Sequence, residues 1–396
     1  MKKISNINFS GKVALIRVDF NVPLDNDLNV TDNSRIVGAL DTINYVIKSG
    51  GKAVILSHLG RPNGKFESRF SLINIVAVLS ELLKQKVVFL QSYLETSAVE
   101  KINNSNPGSV FLLENMRFNK NEKLGCVSFA KDIARLGNWY INDAFGTLHR
   151  DHASTSKIAA FFNNRKCVGF LVEKELLALK SVMKKANRPV TAIIGGAKIS
   201  GKIDVIRSLY NVVDNLIVGG GMAYSFIKAL GGDVSNSLVE EDKLTLAKKL
   251  VEEADNKNVN LLLPVDSVNG SKLSNDCLMN SSDINSIPKE FAGLDIGEKS
   301  IHIFCEAILK SKTIIWNGPM GVFEMSSFEN GTKKVGFAVA EATKNGAFSL
   351  VGGGDSVAAI KKFGLTDSVS CVSTGGGAML KYLEGENLPG LFAIQN

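Results

Sequence analysis

Lys198 and Lys202 stand four residues apart in Gly195-Gly196-Ala197-Lys198-Ile199-Ser200-Gly201-Lys202, directly after the apolar run Val190-Thr191-Ala192-Ile193-Ile194. If a helix opens near Ser200 and continues through Lys202-Ile203-Asp204-Val205-Ile206, both ammonium groups lie by its first turn. Unpaired backbone N–H groups and the helix dipole already attract anions there. The spacing of Gly196, Gly201 and Lys202 approaches a P-loop, but Ile203 occupies the position where that loop needs a hydroxyl for magnesium. The stretch predicts phosphate handling without a Walker A site. Its alternative is a strand–turn–helix junction with two solvated lysines.

A second set of chemical groups follows strand-like runs in the first half. Val13-Ala14-Leu15-Ile16 leads into Arg17, Asp19 and Asn21, and Ala53-Val54-Ile55-Leu56 into Ser57-His58-Leu59-Gly60-Arg61. Val110-Phe111-Leu112-Leu113 leads to Arg117, and Trp139-Tyr140-Ile141-Asn142 to His149 and Arg150, while Arg35 stands at a helix start. In a parallel sheet these positions share the carboxyl edge, where ligands bind, so Arg17, Arg35, His58, Arg61, Arg117, His149 and Arg150 can converge on one anion. Each alone reads as a surface charge; the repeated placement favours convergence. In the second half glycines take those positions: Gly219-Gly220-Gly221 after Asn215-Leu216-Ile217-Val218, Gly318 after Thr313-Ile314-Ile315-Trp316, and Gly352-Gly353-Gly354 after Phe348-Ser349-Leu350-Val351. Glycine admits a ligand close to the backbone, and a nucleotide fits that need. A dinucleotide fingerprint fails, since Tyr224 and Val357 occupy the sixth positions from Gly219 and Gly352, and Ala197 the third from Gly195.

These groups must be positioned by alternating strands and helices. Helical spacing runs from Ser34 to Ile47 and from Leu72 to Leu83, and Glu173 to Lys185 has strong helix propensity with charge pairs at three- and four-residue spacing. The predicted class is α/β, with two doubly wound parallel-sheet domains joined by a helical hinge. A length of 396 residues exceeds one core, and 45% hydrophobic with 21% charged residues excludes a disordered chain. Net charge is +7 with the basic residues dispersed, which suits small anions and argues against nucleic acid. The five scattered cysteines indicate neither disulfides nor zinc, so a reducing cytoplasm is expected. No apolar run approaches a membrane span, and no membrane partner is expected.

The chain resembles the phosphoglycerate kinase family over nearly its whole length. The resemblance is carried by RVDFNVP from Arg17, SHLGRP from Ser57, LLENMRF from Leu112, NDAFGTLHRDHAS from Asn142, GGAKISGK from Gly195, GGGMAYSF from Gly219, WNGPMGVFE from Trp316, GGGDS from Gly352 and STGGGA from Ser373. It implies a 3-phosphoglycerate domain over residues 1–170, with the tail 386–396 packed back on it, a helical hinge over 171–186 and a nucleotide domain over 187–385. Asp19, Phe20, Asn21, Arg35, His58, Leu59, Gly60, Arg61, Arg117 and Arg150 would bind 3-phosphoglycerate or 1,3-bisphosphoglycerate. Lys202, Gly220, Gly293, Asn317, Pro319, Glu324, Gly353, Gly354, Asp355 and Ser356 would bind ATP or ADP, with Mg²⁺ held by the phosphates and Asp355. Arg35, Lys198, Lys202 and Gly354 would be catalytic, in a monomer. Two departures stand out: Ser356 where threonine is usual, and Ser267-Val268-Asn269-Gly270-Ser271 where an apolar continuation is expected.

A carboxylate with a pKa of about 4 is ionised at pH 7 and attacks phosphorus without a general base. His58, His149, His152 and His302 are therefore read as donors or structural groups. The chemistry needs cations that neutralise two repelling anions and the oxygens in transit. Two other classes compete: an anion- or nucleotide-binding module without turnover, and an RNA-binding protein, for which aromatic stacking motifs are missing. Turns near Cys167-Val168-Gly169 and Ala186-Asn187-Arg188-Pro189 are the expected pivots of a hinge.

Overall fold

The computed structural model describes residues 2–396. The chain divides into two compact units, one running up to Leu176 and including Asn387–Asn396, the other Leu177–Glu386. The boundary falls inside the helix Phe170–Lys184.

The first unit is built on β1 (Val13–Val18), β2 (Lys52–Leu56), β3 (Val87–Leu90), β4 (Val110–Leu113), β5 (Trp139–Asp143) and β6 (Lys166–Val168). They form one parallel sheet in the order β3-β4-β2-β1-β5-β6. Every residue of β1, β4 and β5 is buried, as expected of strands covered on both faces, and this is why they read as continuous apolar runs. Register places Ala14 beside both Ala53 and Trp139, so the ends of β1, β2 and β5 lie level and bring Val18, Leu56 and Asp143 to one edge. The helix Ser34–Lys48 buries Ile36, Ala39, Ile43 and Val46 against this sheet's core, a three- and four-residue stripe.

The second unit contains β7 (Val190–Ile194), β8 (Asn215–Val218), β9 (Asn260–Leu262), β10 (Asp266–Gly270), β11 (Met279–Asp283), β12 (Ala292–Ile296), β13 (Thr313–Asn317), β14 (Phe348–Val351) and β15 (Cys371–Val372). Six are parallel in the order β15-β14-β13-β7-β8-β9. The other three form an antiparallel sheet, β11-β10-β12, which the alternating strand–helix reading did not anticipate. Its central strand is the segment that departs from the expected apolar continuation. Ser267 and Asn269 are nevertheless fully buried, because Ser267 Oγ donates to Asn269 Oδ1 at 2.7 Å while Asn269 Nδ2 donates to Asn280 Oδ1 and Ser282 Oγ at 2.8 and 2.9 Å. Buried polar groups are tolerated when paired, so polarity here did not exclude a strand.

Cys167 and Val168 are not a turn. They belong to β6 and pair with Ile141 and Asn142 of β5, which removes them as a pivot. Gly169 packs so tightly on Asp143 that a Cβ there would lie 2.3 Å from the carboxyl carbon.

Candidate active site

In each unit the winding reverses beside its central strand, between β1 and β5 in one and between β7 and β13 in the other. Crevices at the carboxyl ends form at such points.

In the first unit the crevice is lined by cations held by buried acceptors. Arg17 is only 1% exposed; it is the one charge in β1, and its Nε donates to Ser154 Oγ at 3.0 Å. Ser154 is held in turn by Glu122, whose oxygens accept its N–H at 2.9 Å and its hydroxyl at 2.7 Å. Arg17 Nη2 lies 3.2 Å from His58 Nδ1. An arginine can only donate, so Nδ1 accepts and the neutral ring carries its proton on Nε2. Burial, then the charges of Arg17, Arg117, Arg150 and Arg35, hold the His58 pKa well below its ordinary value. Asp19 Oδ1 is 3.7 Å away, but with the ring kept neutral this is not an ion pair.

Arg35 enters from the first turn of its helix and donates to Asp19 Oδ2 at 3.2 Å and to the Asn21 carbonyl at 3.0 Å. Asn21 Oδ1 accepts the Gly60 N–H at 2.8 Å, and Arg117 donates to the Gly60 carbonyl at 2.6 Å. Burial, followed by Arg150 and Arg17, lowers the Arg117 pKa to about 10, and burial also lowers that of Arg150. Beyond burial, the arginines also depress one another, and Asp19 and Glu122 counter this only in part, an arrangement that suits an added anion. Arg61 is exposed and faces Arg150 electrostatically. Phe20 and Leu59 are buried, so only their backbones can reach a ligand; the Phe20 N–H is already bound to Ser57 Oγ at 2.8 Å.

In the second unit the helix Ile203–Leu209 starts later than the lysine spacing predicts. Lys202 caps it, because Ile199 to Lys202 close a turn in which the Lys202 N–H donates to the Ile199 carbonyl at 2.8 Å. Lys198 stays exposed, whereas Lys202 is half-buried and its ammonium donates to Asn317 Oδ1. Burial lowers the Lys202 pKa, and the carboxylates of Asp355 and Glu384 partly counter that. Lys198, Lys202, Asn317, Gly353, Gly354, Asp355 and Ser356 line one pocket of about 350 Å³. Gly220, Gly293, Pro319, Glu324 and again Asp355 line a cleft of about 510 Å³, with Gly196 and Ala197 on the wall of both. All the residues expected on the nucleotide side are thus gathered.

The ends of β7 and β13 touch here: a Cβ on Gly195 would lie 2.0 Å from the Pro319 carbonyl, and one on Gly318 2.1 Å from the Gly195 carbonyl. Gly353, at φ +95°, precedes the helix Gly354–Lys362 and turns its free N–H groups toward the lysines' pocket. Ser356 Oγ accepts the Gly318 N–H at 2.5 Å, so this hydroxyl ties the helix to the β13 loop. Asp355 offers the hard oxygen that Mg²⁺ prefers, on the wall of the lysines' pocket. Among the described residues no three His, Cys, Asp or Glu side chains cluster as a metal site, so an ion at Asp355 would take its remaining ligands from phosphate and water.

Glu122, Ser154 and Thr332 were missed from sequence. Glu122 sits in Lys120-Asn121-Glu122-Lys123, which looks like a solvated helix, and no local signal marks its burial. Thr332 Oγ1 accepts the Met320 and Gly321 N–H groups at 3.0 and 3.3 Å and so shapes the cleft loop.

Residues 4–386 match the family model described as phosphoglycerate kinase. A phosphoglycerate kinase of Chlorobaculum tepidum is 49% identical over 395 residues, 100% of this chain and 99% of that one. One of Porphyromonas gingivalis is 47% identical, covering 99% of each. The solved phosphoglycerate kinase of Coxiella burnetii superposes with a TM-score of 0.90 at 41% identity, over 99% of this chain and 98% of its own. That of Pyrococcus horikoshii gives 0.85 at 31% identity, over 100% and 98%.

Proposed function

The chain belongs to the phosphoglycerate kinase family of glycolytic kinases, and on that premise we propose that it transfers a phosphoryl group reversibly between 1,3-bisphosphoglycerate and ADP, giving 3-phosphoglycerate and ATP. The observation that carries the reading is the desolvated arginine cluster around His58 in one unit, matched by the lysine and glycine pocket of the other. The first unit is the glycerate domain: Arg35, Arg61, Arg117 and Arg150, with Asp19, Asn21 and the backbone near Phe20 and His58 to Gly60, hold the phosphoglycerate. The second is the nucleotide domain, with Gly220, Gly293, Pro319 and Glu324 on the adenosine side and Lys202, Asn317 and Gly353 to Ser356 at the phosphates.

In the ATP-consuming direction, a glycerate carboxylate oxygen forms a bond to the γ-phosphorus as the bond from that phosphorus to the β–γ bridging oxygen breaks, and ADP leaves. The attacking carboxylate is already ionised, so no proton moves. Arg35 approaches the acyl oxygen's side, while Lys202, Lys198 and the Gly354 N–H neutralise the phosphoryl oxygens in transit. Mg²⁺, carried on the nucleotide and met by Asp355, adds charge neutralisation when bound. The reading extends to a cytoplasmic monomer, in keeping with five free cysteines. ATP turnover coupled to NADH oxidation tests the activity: oxidation should require both ATP and 3-phosphoglycerate. ATP binding without turnover would leave a binding module in its place.

A further inference from the structure

The helix Gly354–Lys362 grips the cleft loop at both of its ends. At its start Ser356 Oγ accepts the Gly318 N–H; at its last residue Lys362 Nζ donates to the Phe323 carbonyl at 2.7 Å. The same ammonium lies 2.7 Å from Glu329, which is largely covered, at 19% exposure, and which precedes the helix Asn330–Lys344. Lys333 adds a second, longer contact to that carboxylate at 4.0 Å. Between these grips run Pro319, Gly321 and Val322, with Glu324 just beyond them, all on the wall of the 510 Å³ cleft. Glu324 follows Phe323 directly, is exposed, and has no partner of its own among the hydrogen bonds that pin this loop.

We propose that Lys362 is a positioning residue for nucleotide recognition: by clamping the Phe323 carbonyl against Glu329 it holds the Glu324 carboxylate at a set distance from the phosphate-binding helix start. The inference rests on the cleft being the nucleotide site. An ionised carboxylate only accepts hydrogen bonds, and the hydroxyls of a ribose only need an acceptor to be read by it. Lys362 stands at the far end of the helix from Gly354 and Asp355, about 12 Å away at 1.5 Å per residue, so it acts through the loop and touches no phosphate. Its clamp adds a charge-assisted bond to a loop also held by Thr332, by the Gly196 and Gly220 N–H groups on the Pro319 and Met320 carbonyls, and by Val322 N–H donation to the Leu294 carbonyl at 2.9 Å.

The test compares ATP with 2′-deoxy-ATP and 3′-deoxy-ATP in the coupled assay for the native chain, Lys362→Met, Lys362→Arg and Glu329→Gln. The native chain should discriminate against at least one deoxy analogue. Lys362→Met should raise the KM for ATP about 10- to 100-fold, the size of one bond to a charged group, while the KM for the disfavoured analogue stays nearly unchanged. The ratio of the two then falls toward one, with kcat and the KM for 3-phosphoglycerate held. Glu329→Gln should move the ratio the same way but less, and Lys362→Arg should restore it. An equal rise in KM for all three nucleotides, a fall in kcat without a change of ratio, or a native chain that binds ATP but treats the three alike would each overturn the clamp. Failure of the native chain to bind any nucleotide would overturn the functional reading itself, and the clamp with it.

Discussion

The two units wind their parallel sheets in related ways and equip them with opposite chemistry. Around β1 the crevice is made of long cationic side chains kept in place by acceptors such as Ser154, itself held by the buried Glu122, and the part-buried Asp19. Around β7 it is made of backbone, with Gly195 and Gly318 so close that no side chain fits between the strand ends. Rigid guanidinium forks suit a small, highly charged anion, whereas a bare backbone edge with helix N–H groups admits an extended nucleotide. The edges differ too. The second sheet has the regular outward order on both sides of β7, while in the first β4 is inserted between β2 and β3.

The largest effect expected from breaking this pairing is catalytic. Arg35→Ala and Lys202→Ala, one from each unit, should each lower kcat by two to three orders of magnitude, about 3–4 kcal/mol, with smaller changes in KM. Near-native kcat in either would remove that residue from the transition state.

A backbone substitution should distinguish the units by stability. Gly195→Ala drives a Cβ into the Pro319 carbonyl, itself bonded to the Gly196 N–H, so the second unit should lose about 1–3 kcal/mol as an overpacked site does. Trp316 lies in that unit and Trp139 in the first, giving each its own fluorescence reporter. The urea midpoint seen by Trp316 should drop while that of Trp139 holds; an unchanged Trp316 midpoint would mean the strand ends can part freely.

On the anion side, millimolar sulfate should compete with 3-phosphoglycerate, and Arg117→Ala should weaken both by about tenfold, since a partly buried charged donor is lost. Arg61→Ala, on an exposed side chain, should do less. Affinities unchanged from the native chain in both variants would remove both arginines from the anion site.

Acid should separate the units as well. His58 is held well below 6.5, mainly by burial, and His152 is lowered to about 4 by burial and then by Arg117, Arg150 and Arg17. The unfolded chain binds these protons more readily, so their contribution is intact above pH 6.5 and is lost as pH falls toward about 4. Asp143, raised to about 6 by burial, opposes part of this loss, favouring the folded form as pH falls from about 6 to 3.8. In the second unit Asp295 is buried, raised to about 7, and stabilises most below 3.8, losing its effect as pH rises through about 7. From pH 7 to 5 the Trp139 midpoint should therefore fall relative to that of Trp316, read in Trp316→Phe and Trp139→Phe variants. Parallel shifts would show that these buried groups do not set the balance.

The smallest signal is a change of shape. With the arginines and the lysines on separate units, transfer needs reacting atoms within about 3–3.5 Å and water kept out. If closure requires contacts from both ligands, the radius of gyration in small-angle scattering should fall in the ternary sample and little in either binary one. Equal values in apo, binary and ternary samples would sink closure about the remaining pivot near Ala186 to Pro189.

Much of the fold was legible in local sequence because its signals are local. Apolar runs such as Val190–Ile194 and Phe348–Val351 are strands over the residues read from the sequence, and the polar or glycine residues after them lie at sheet edges. Arg35 and Lys202 were legible for the same reason, standing where a helix begins. What tertiary structure alone decided is which groups meet and which are desolvated. Arg17 and Glu122 are buried only because Ser154, distant in sequence from Arg17, joins them; Ser267 and Asn269 form a central strand only because Asn280 and Ser282 across the ladder satisfy their polar atoms. Strand and helix periodicity is written in neighbouring residues, but burial of charge is decided by partners that folding brings from elsewhere, and no local pattern records them.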